Sequence, residues 1–193
     1  MKKILVIVAL AMSSFANAQK GSVLVMGSVS YYSEKTTSPG SESKQDVFNF
    51  VPKVGYQFHD NWTAGIESAY SKTNQDFNTG NVYNYSTFSV GGFLRYSKVL
   101  NQTFSAYADL GTGFQNKKET SINNAGERYP DKGNGFYVGV TPALLLNVGK
   151  GFGLNFNIGT IGYNTLNFDN DRKVKQFNSS FGQSFGIGLS KNF

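Results

Sequence analysis

Apolar and polar residues alternate along most of the chain with a period of two. In residues 47–58 (VFNFVPKVGYQF) the even positions are all apolar, whereas the odd positions mix small, polar and charged residues. Successive side chains of a β-strand point to opposite faces. The pattern therefore predicts a strand with one apolar face and one mixed face.

Seven further segments repeat this alternation, and together they predict an all-β chain of eight antiparallel strands. In the last segment Phe181, Phe185, Ile187, Leu189 and Phe193 fall on the apolar face. The eight segments begin near residues 22, 47, 62, 86, 104, 136, 152 and 181.

The connections between these segments alternate between short and long. Membrane barrels have short periplasmic turns and longer external loops. We therefore expect a closed, up-and-down transmembrane β-barrel, with its apolar face toward lipid and its Gly, Ser, Thr and Asn face toward a narrow lumen. A soluble barrel of the lipocalin type, with the two faces reversed, is the alternative. The short turns are predicted at 59–61, 98–102 and 148–151, and the polar loops at 34–46, 72–85, 115–134 and 164–176.

Composition supports a lipid-facing sheet. The chain contains 17 Phe, 11 Tyr and 22 Gly residues and no cysteine. Aromatic residues form the interfacial girdles of membrane barrels, and without cysteine no disulfide framework can form. The formal net charge is +6, but the basic residues cluster only in short pairs such as Lys117-Lys118. No nucleic-acid partner is therefore expected.

The N-terminus has the three parts of an export signal. Lys2 and Lys3 precede the apolar run from Ile4 to Met12, and a small-x-small site ends at Ala18. The apolar run is shorter than the about 20 residues of a membrane helix. We expect a signal peptide over residues 1–18, cleaved after Ala18, and a barrel domain over 19–193 in the bacterial outer membrane.

Two prolines interrupt the predicted strands. Pro52 and Pro142 lie within alternating segments, and each removes one hydrogen bond of a ladder. A closed barrel has no free edge to accommodate a proline. A local bulge or a weak point is therefore expected at each.

Four charged residues, Lys53, Glu67, Arg95 and Asp109, fall on the inward face and form a predicted interior charge layer. The first short turn places Lys53 directly opposite Glu67. The second places Arg95 opposite Tyr107 and one diagonal step from Asp109. Because an interior ion is costly unless it is paired, two cations and two anions would form a structural plug. A gated polar pathway is the alternative reading, although the narrow lumen of eight strands favours the plug.

The signal sequence, the eight-strand pattern, FVPKVGY at residues 50–56, FLRY at 93–96 and the terminal Phe193 together resemble the small outer-membrane barrel families. These include the membrane domain of outer-membrane protein A and outer-membrane protein X. The resemblance covers the whole mature chain and implies that the barrel-assembly machinery recognises Phe193.

Barrel enzymes of this size resemble lipid A acyltransferases and deacylases, which use a His with a Ser and an acid near the outer rim. The one histidine, His59, lies in a predicted periplasmic turn instead. The chain is therefore not expected to be an enzyme, and no cofactor or metal is expected. Asp169, Asn170 and Asp171 could bind a cation, but solvated loop residues are the simpler interpretation.

These observations lead to three functional hypotheses. The first is a monomeric structural or interaction protein that contacts lipid, lipopolysaccharide and surface partners through its four polar loops. The second is a narrow pore for small solutes, and the third is a lipid-modifying enzyme. Conductance in planar bilayers separates the first two, and an acyl-transfer assay tests the third.

Overall fold

The structure is a computed structural model that describes residues 21–77 and 80–193, without the side chains of residues 183–186. The predicted signal peptide and Ala18 lie outside the described residues. In the described part, no helix is long and apolar enough to cross a membrane.

Eight antiparallel strands close into one barrel in chain order, which confirms the predicted fold. Each strand pairs with its neighbours in sequence, and β8 returns to β1. The strands are β1 (Val23–Ser38), β2 (Ser41–His59), β3 (Trp62–Phe77), β4 (Asn81–Val99), β5 (Phe104–Ile122), β6 (Arg128–Gly149), β7 (Phe152–Phe168) and β8 (Lys173–Asn192).

The apolar face points outward, as predicted. Ile66 is 67% exposed and Phe114 is 77% exposed, whereas the inward Phe93 is only 4% exposed. A soluble barrel would show the opposite arrangement. We call the outward apolar side chains around the barrel the apolar belt; on β5 it runs from Phe104 to Phe114.

The prediction of four long polar loops was wrong. The strands run through most of these segments and contain 16 to 22 residues, whereas about 9–11 residues cross a membrane. Thr, Tyr and Val among the polar residues favour extended backbone, and tight turns such as Pro39-Gly40 close the hairpins. The barrel wall therefore continues beyond the membrane as four hairpins. Turns at 39–40, 123–127 and 169–172 connect three of the hairpins, and the fourth connection includes residues 78–79, which lie outside the described residues.

Both prolines mark irregular positions, as expected. The β2–β3 ladder stops at Phe50 and resumes at Lys53, so it is interrupted at Pro52 without a change of register. At Pro142 the β6–β7 register shifts, because residues 158–160 of β7 oppose only two residues of β6.

The β7 bulge reverses which residues face the lumen. Beyond it Thr160 and Gly162 line the interior. Continued along β7 from Gly153, the strict alternation predicts that Gly159 faces inward, but Gly159 pairs with Phe181, whose side chain is exposed. The inward assignment of Gly159 was therefore wrong, because the extra residue inverts the alternation.

The barrel closes through a short seam. Among the described residues, β1 and β8 share four pairs, from Leu24↔Asn192 to Gly27↔Leu189. The backbone of Phe193 extends this seam through two hydrogen bonds with Val23. The Phe193 ring was predicted to be exposed on the apolar face. Instead it is 5% exposed, with the Nζ of Lys191 4.5 Å from its centroid.

Candidate functional site

The four inward charges predicted from sequence meet inside the barrel; we call Lys53, Glu67, Arg95 and Asp109 the charge cluster. Each comes from a different one of the four consecutive strands β2–β5. The alternation of strand side chains directs all four to the lumen. The cluster therefore depends on the register of three neighbouring ladders.

One predicted register is correct and the other is not. Lys53 lies opposite Glu67, as predicted. Arg95 lies directly opposite Asp109 rather than Tyr107. The second turn is centred on Gln102, one residue further along the chain than a pairing of Arg95 with Tyr107 requires. This shift places the cation directly opposite the anion.

The cluster forms a continuous chain of ion pairs. The Nζ of Lys53 lies 2.6 Å from Oε2 of Glu67 and 3.0 Å from Oδ2 of Asp109. The Nε of Arg95 donates to Oδ1 of Asp109 at 2.6 Å, and a second guanidinium nitrogen donates to Oδ2 at 2.9 Å. Asp109 therefore bridges the two cations, and its bond to Lys53 spans strands that are not adjacent.

Aromatic rings surround the two cations. The guanidinium carbon of Arg95 lies 3.7 Å from the centroid of Tyr107, and the Nζ of Lys53 lies 5.1 Å from the centroid of Phe93. A cation over a ring face is stabilised by the ring quadrupole. The rings therefore offset part of the cost of removing both cations from water.

Neutral partners extend the network across the lumen. The Tyr137 hydroxyl donates to Oε1 of Glu67 at 2.9 Å, and the Tyr107 hydroxyl donates to Oδ1 of Asn155 at 3.0 Å. The side-chain nitrogen of Asn155 is buried and has no hydrogen-bond partner in the structure. The alternation pattern predicts an inward position for Tyr107, Tyr137 and Asn155, but a pattern of charged residues does not identify these neutral side chains.

The cluster leaves space on either side. One interior cavity of about 190 Å³ is lined by Lys53, Glu67 and Tyr137, and another of about 180 Å³ by Lys53, Met26 and Asn155. Asp109 borders both cavities. Lys53 and Asp109 thus lie between two small polar cavities of the lumen, together with Thr141 and Thr160, which also line both.

A second charged network lies at the external end of the lumen, beyond the apolar belt. Arg172, in the β7–β8 turn, pairs with Glu119 of β5 and with Asp131 of β6, the latter at 3.1 Å. Its guanidinium carbon lies 3.8 Å from the Phe168 centroid. Lys117 also pairs with Glu119, at 2.8 Å. The β7–β8 turn is thereby tied to the hairpin between β5 and β6.

This network borders a vestibule of about 600 Å³, which three tyrosines also line: Tyr83, Tyr85 and Tyr129. Burial would raise the pKa of the Glu119 carboxyl, but hydrogen bonds and charges from Lys117 and Arg172 outweigh it and hold the pKa below its ordinary value. Glu119 therefore favours the ionised form that these cations bind.

The remaining candidate residues are not assembled into a site. His59 ends β2 beside the first short turn. Asp169 and Asp171 lie in the β7–β8 turn, where Asn170 donates to Asp131. In the part of the chain that the structure describes, no group of three or more His, Cys, Asp or Glu residues could hold a metal ion.

The closed barrel with an outward apolar belt and an inward polar cluster defines the class: a bacterial outer-membrane β-barrel. The model of the family "Outer membrane protein beta-barrel domain" matches residues 4–193. The chain belongs to this family, and its location is the outer membrane. No curated protein matches the chain in sequence.

Solved structures of outer-membrane barrels are similar to this chain at low sequence identity. OprG from Pseudomonas aeruginosa is 10% identical, with a TM-score of 0.51, and the match covers 93% of this chain and 99% of OprG. Ail of Yersinia pestis is 18% identical, with a TM-score of 0.45 and coverage of 91% and 99%. The translocator domain of autotransporter NalP from Neisseria meningitidis is 16% identical, with a TM-score of 0.46. The match covers 99% of this chain and 64% of the translocator domain. The chain therefore spans less than two thirds of that translocator domain.

Proposed function

We propose that this barrel is a structural and surface-interaction protein whose lumen is closed by the charge cluster. The observation that supports this most directly is the set of side-chain bonds across the lumen. Lys53 of β2 reaches Asp109 of β5, and Tyr137 of β6 reaches Glu67 of β3. Because these bonds join non-adjacent strands, they cross the path that a solute would take.

The external hairpins are the proposed contact surface. They continue the barrel wall beyond the apolar belt, and they carry most of the charged residues outside the cluster. A hairpin that grows out of a closed barrel is held at its base. It can therefore present side chains to lipid headgroups, lipopolysaccharide or another protein with little loss of order.

A narrow pore is the second candidate, and the two cavities beside the cluster favour it. Lys53 and Asp109 line both cavities, and so do Thr141 and Thr160, so a rearrangement of these side chains would join the cavities. In that case the ion pairs would act as a gate rather than a plug.

Conductance of the full chain in planar bilayers decides between the two functions. For a plugged barrel we expect no steady channels from the native sequence. The double variant Lys53→Ser/Asp109→Ser removes the cross-lumen bridge, and we expect it to conduct. The control is Lys44→Ser/Asp46→Ser, which removes an external ion pair of 3.0 Å and should stay closed. Steady channels from the native protein would favour the pore.

A second experiment tests the surface role. A tagged barrel recovered from native outer membrane should retain a partner that is lost when a hairpin tip is shortened. Recovery of the bare barrel alone, as a monomer, would limit the role to membrane structure.

The proposal includes recognition of Phe193 by the assembly machinery and no catalytic role. The Phe193→Ala variant should accumulate unassembled in the periplasm, whereas Phe152→Ala, which removes a ring next to the same lysine, should assemble.

A further inference from the structure

Three outward lysines form one cross-strand row on the external side of the apolar belt; we call Lys72, Lys118 and Lys132 the lysine row. Lys72 pairs with Ser86, Ser86 with Lys118, and Lys118 with Lys132. All three lysines are exposed. Residues directly opposite in antiparallel strands have Cβ atoms about 4.5–5.5 Å apart, so Lys118 and Lys132 hold two positive charges close together.

In the described part of the chain, no carboxylate forms an ion pair with Lys118 or Lys132. Among residues 21–77 and 80–193, none of the ion pairs involves a member of the lysine row. Like charges directly opposite each other destabilise a sheet. The structure therefore contains an uncompensated cationic pair that an external anion would stabilise.

The β1–β2 hairpin shows how the same arrangement is compensated internally. Lys35 and Lys44 also lie directly opposite each other. There, Glu42 lies 2.9 Å from Lys35 and Asp46 lies 3.0 Å from Lys44. The contrast indicates that the lysine row is left free for a partner outside the chain.

An apolar groove lies directly below Lys118 and Lys132. Asn116 and Asn134 come first, and the Nδ2 of Asn116 donates to Oδ1 of Asn134 at 2.8 Å. Below these amides, the groove encloses about 480 Å³ between four apolar side chains: Phe88, Val90, Phe114 and Phe136.

Along β5, the apolar ring of Phe114 is therefore followed by the amide of Asn116 and then by the ammonium of Lys118. A step of two residues is about 6.6 Å, so the backbone positions of Phe114 and Lys118 are about 13 Å apart along the strand. A phosphorylated lipid presents acyl chain, ester or amide linkage and phosphate in the same order. The long hairpins mark this end of the barrel as external, so such a lipid would lie in the outer leaflet.

We propose that the groove and the lysine row bind a phosphorylated, multiply acylated glycolipid of the outer leaflet, the chemical class of lipid A. One acyl chain lies between Phe114 and Phe136, and a phosphate bridges Lys118 and Lys132. Lys72 lies two strands further along the row, where it can contact a second phosphate. The proposal rests on the outer-membrane location of the barrel and not on the closed lumen.

The test is native mass spectrometry of the full chain in detergent, with diphosphoryl lipid A as the probe. We expect Lys118→Ser/Lys132→Ser to raise the dissociation constant at least about tenfold, which corresponds to about 1.4 kcal/mol. The matched control Lys35→Ser/Lys44→Ser removes the same two charges from a compensated pair and should bind as the native protein does. Lys118→Arg/Lys132→Arg should also retain the lipid, and heat-modifiable gel mobility checks that each variant is folded.

Two further probes establish the chemistry. Lipid A without its phosphates and phosphatidylglycerol should both bind at least about tenfold more weakly than diphosphoryl lipid A. Unchanged binding by Lys118→Ser/Lys132→Ser, an equal loss in the control pair, or equal binding of either further probe would overturn the proposal.

Discussion

Asp109 is the residue on which the charge cluster depends. Its two carboxylate oxygens accept from two cations, Arg95 and Lys53, whereas Glu67 binds one cation, Lys53, and the neutral hydroxyl of Tyr137. Removing one partner of a buried ion pair leaves the other charge without compensation. The two acids should therefore differ in importance, although both are inward and both face a cation.

Asp109→Asn should lower the free energy of unfolding by about 3–5 kcal/mol, because Arg95 loses the one carboxylate with which it pairs among the described residues. Glu67→Ala should cost less, about 1–3 kcal/mol, because Lys53 retains Asp109. Urea unfolding in lipid vesicles measures both. Asp46→Asn, which breaks an ion pair with Lys44 beyond the apolar belt, is the control and should change stability by less than about 1 kcal/mol. A native midpoint for Asp109→Asn would contradict the role of the bridge.

The vestibule should loosen in acid. The folded structure holds the pKa of Glu119 below its ordinary value of 4.5. Its pairing with Arg172 is therefore complete above that value and is lost as the pH falls through the lower folded pKa. Backbone ¹⁵N relaxation of the 169–172 turn, followed from about pH 7 to about pH 3, should show mobility rising in this window. Arg172→Gln should make the turn mobile throughout, and a turn equally rigid at both ends of the titration would refute the link.

At the scale of the strand, the external hairpins and the membrane-spanning wall belong to the same elements but differ in what stabilises them. In the membrane, every backbone group must be paired within the barrel. Beyond it water satisfies these groups, and an isolated two-stranded hairpin is only marginally stable. The external part of a strand should therefore contribute little to the stability of the whole.

Replacing residues 36–43 with Asn-Gly should leave the barrel folded. The replacement joins Lys35 to Lys44, which already lie opposite each other, and Asn-Gly favours a tight hairpin turn. We expect a change of less than about 1 kcal/mol in the free energy of unfolding. Loss of heat-modifiable gel mobility in this variant would show that the hairpin is needed for folding.

The sequence was informative about elements wherever alternation was strict. It predicted all eight strands, the three short turns and the irregularities at Pro52 and Pro142, because a one-residue slip would move every side chain to the other face. It failed in the polar segments, where both faces meet water and no alternation identifies a strand. It also failed beyond the β7 bulge, since one extra residue inverts the pattern without a signal in composition.

Part of the charge cluster also follows from the alternation of the strands. Inward parity alone brought the four charges of the cluster together. The direct pairing of Arg95 with Asp109 required the centre of the second turn, which composition does not define to one residue. Contacts between distant strands, such as that of Tyr137 with Glu67, depend on how the barrel closes. The alternation within single strands does not predict such contacts.

For the whole molecule, the hydrocarbon around the belt sets the cost of a misplaced charge. Leu110→Lys places an ammonium on the belt and should cost about 2–4 kcal/mol in vesicles. Thr120→Lys is matched to it, being on the same strand with the same parity but beyond the belt, and should cost less than about 1 kcal/mol. Equal effects of the two variants would place the membrane elsewhere on the barrel.

The β1–β8 closure has a mechanical consequence. The other seven seams hold between 14 and 19 pairs each, against four here among the described residues. The seam with the fewest backbone pairs is the easiest to open, so thermal opening of the barrel should begin with the separation of β1 from β8. A cross-link between β1 and β8 would then stabilise the whole barrel more than a cross-link across any other seam.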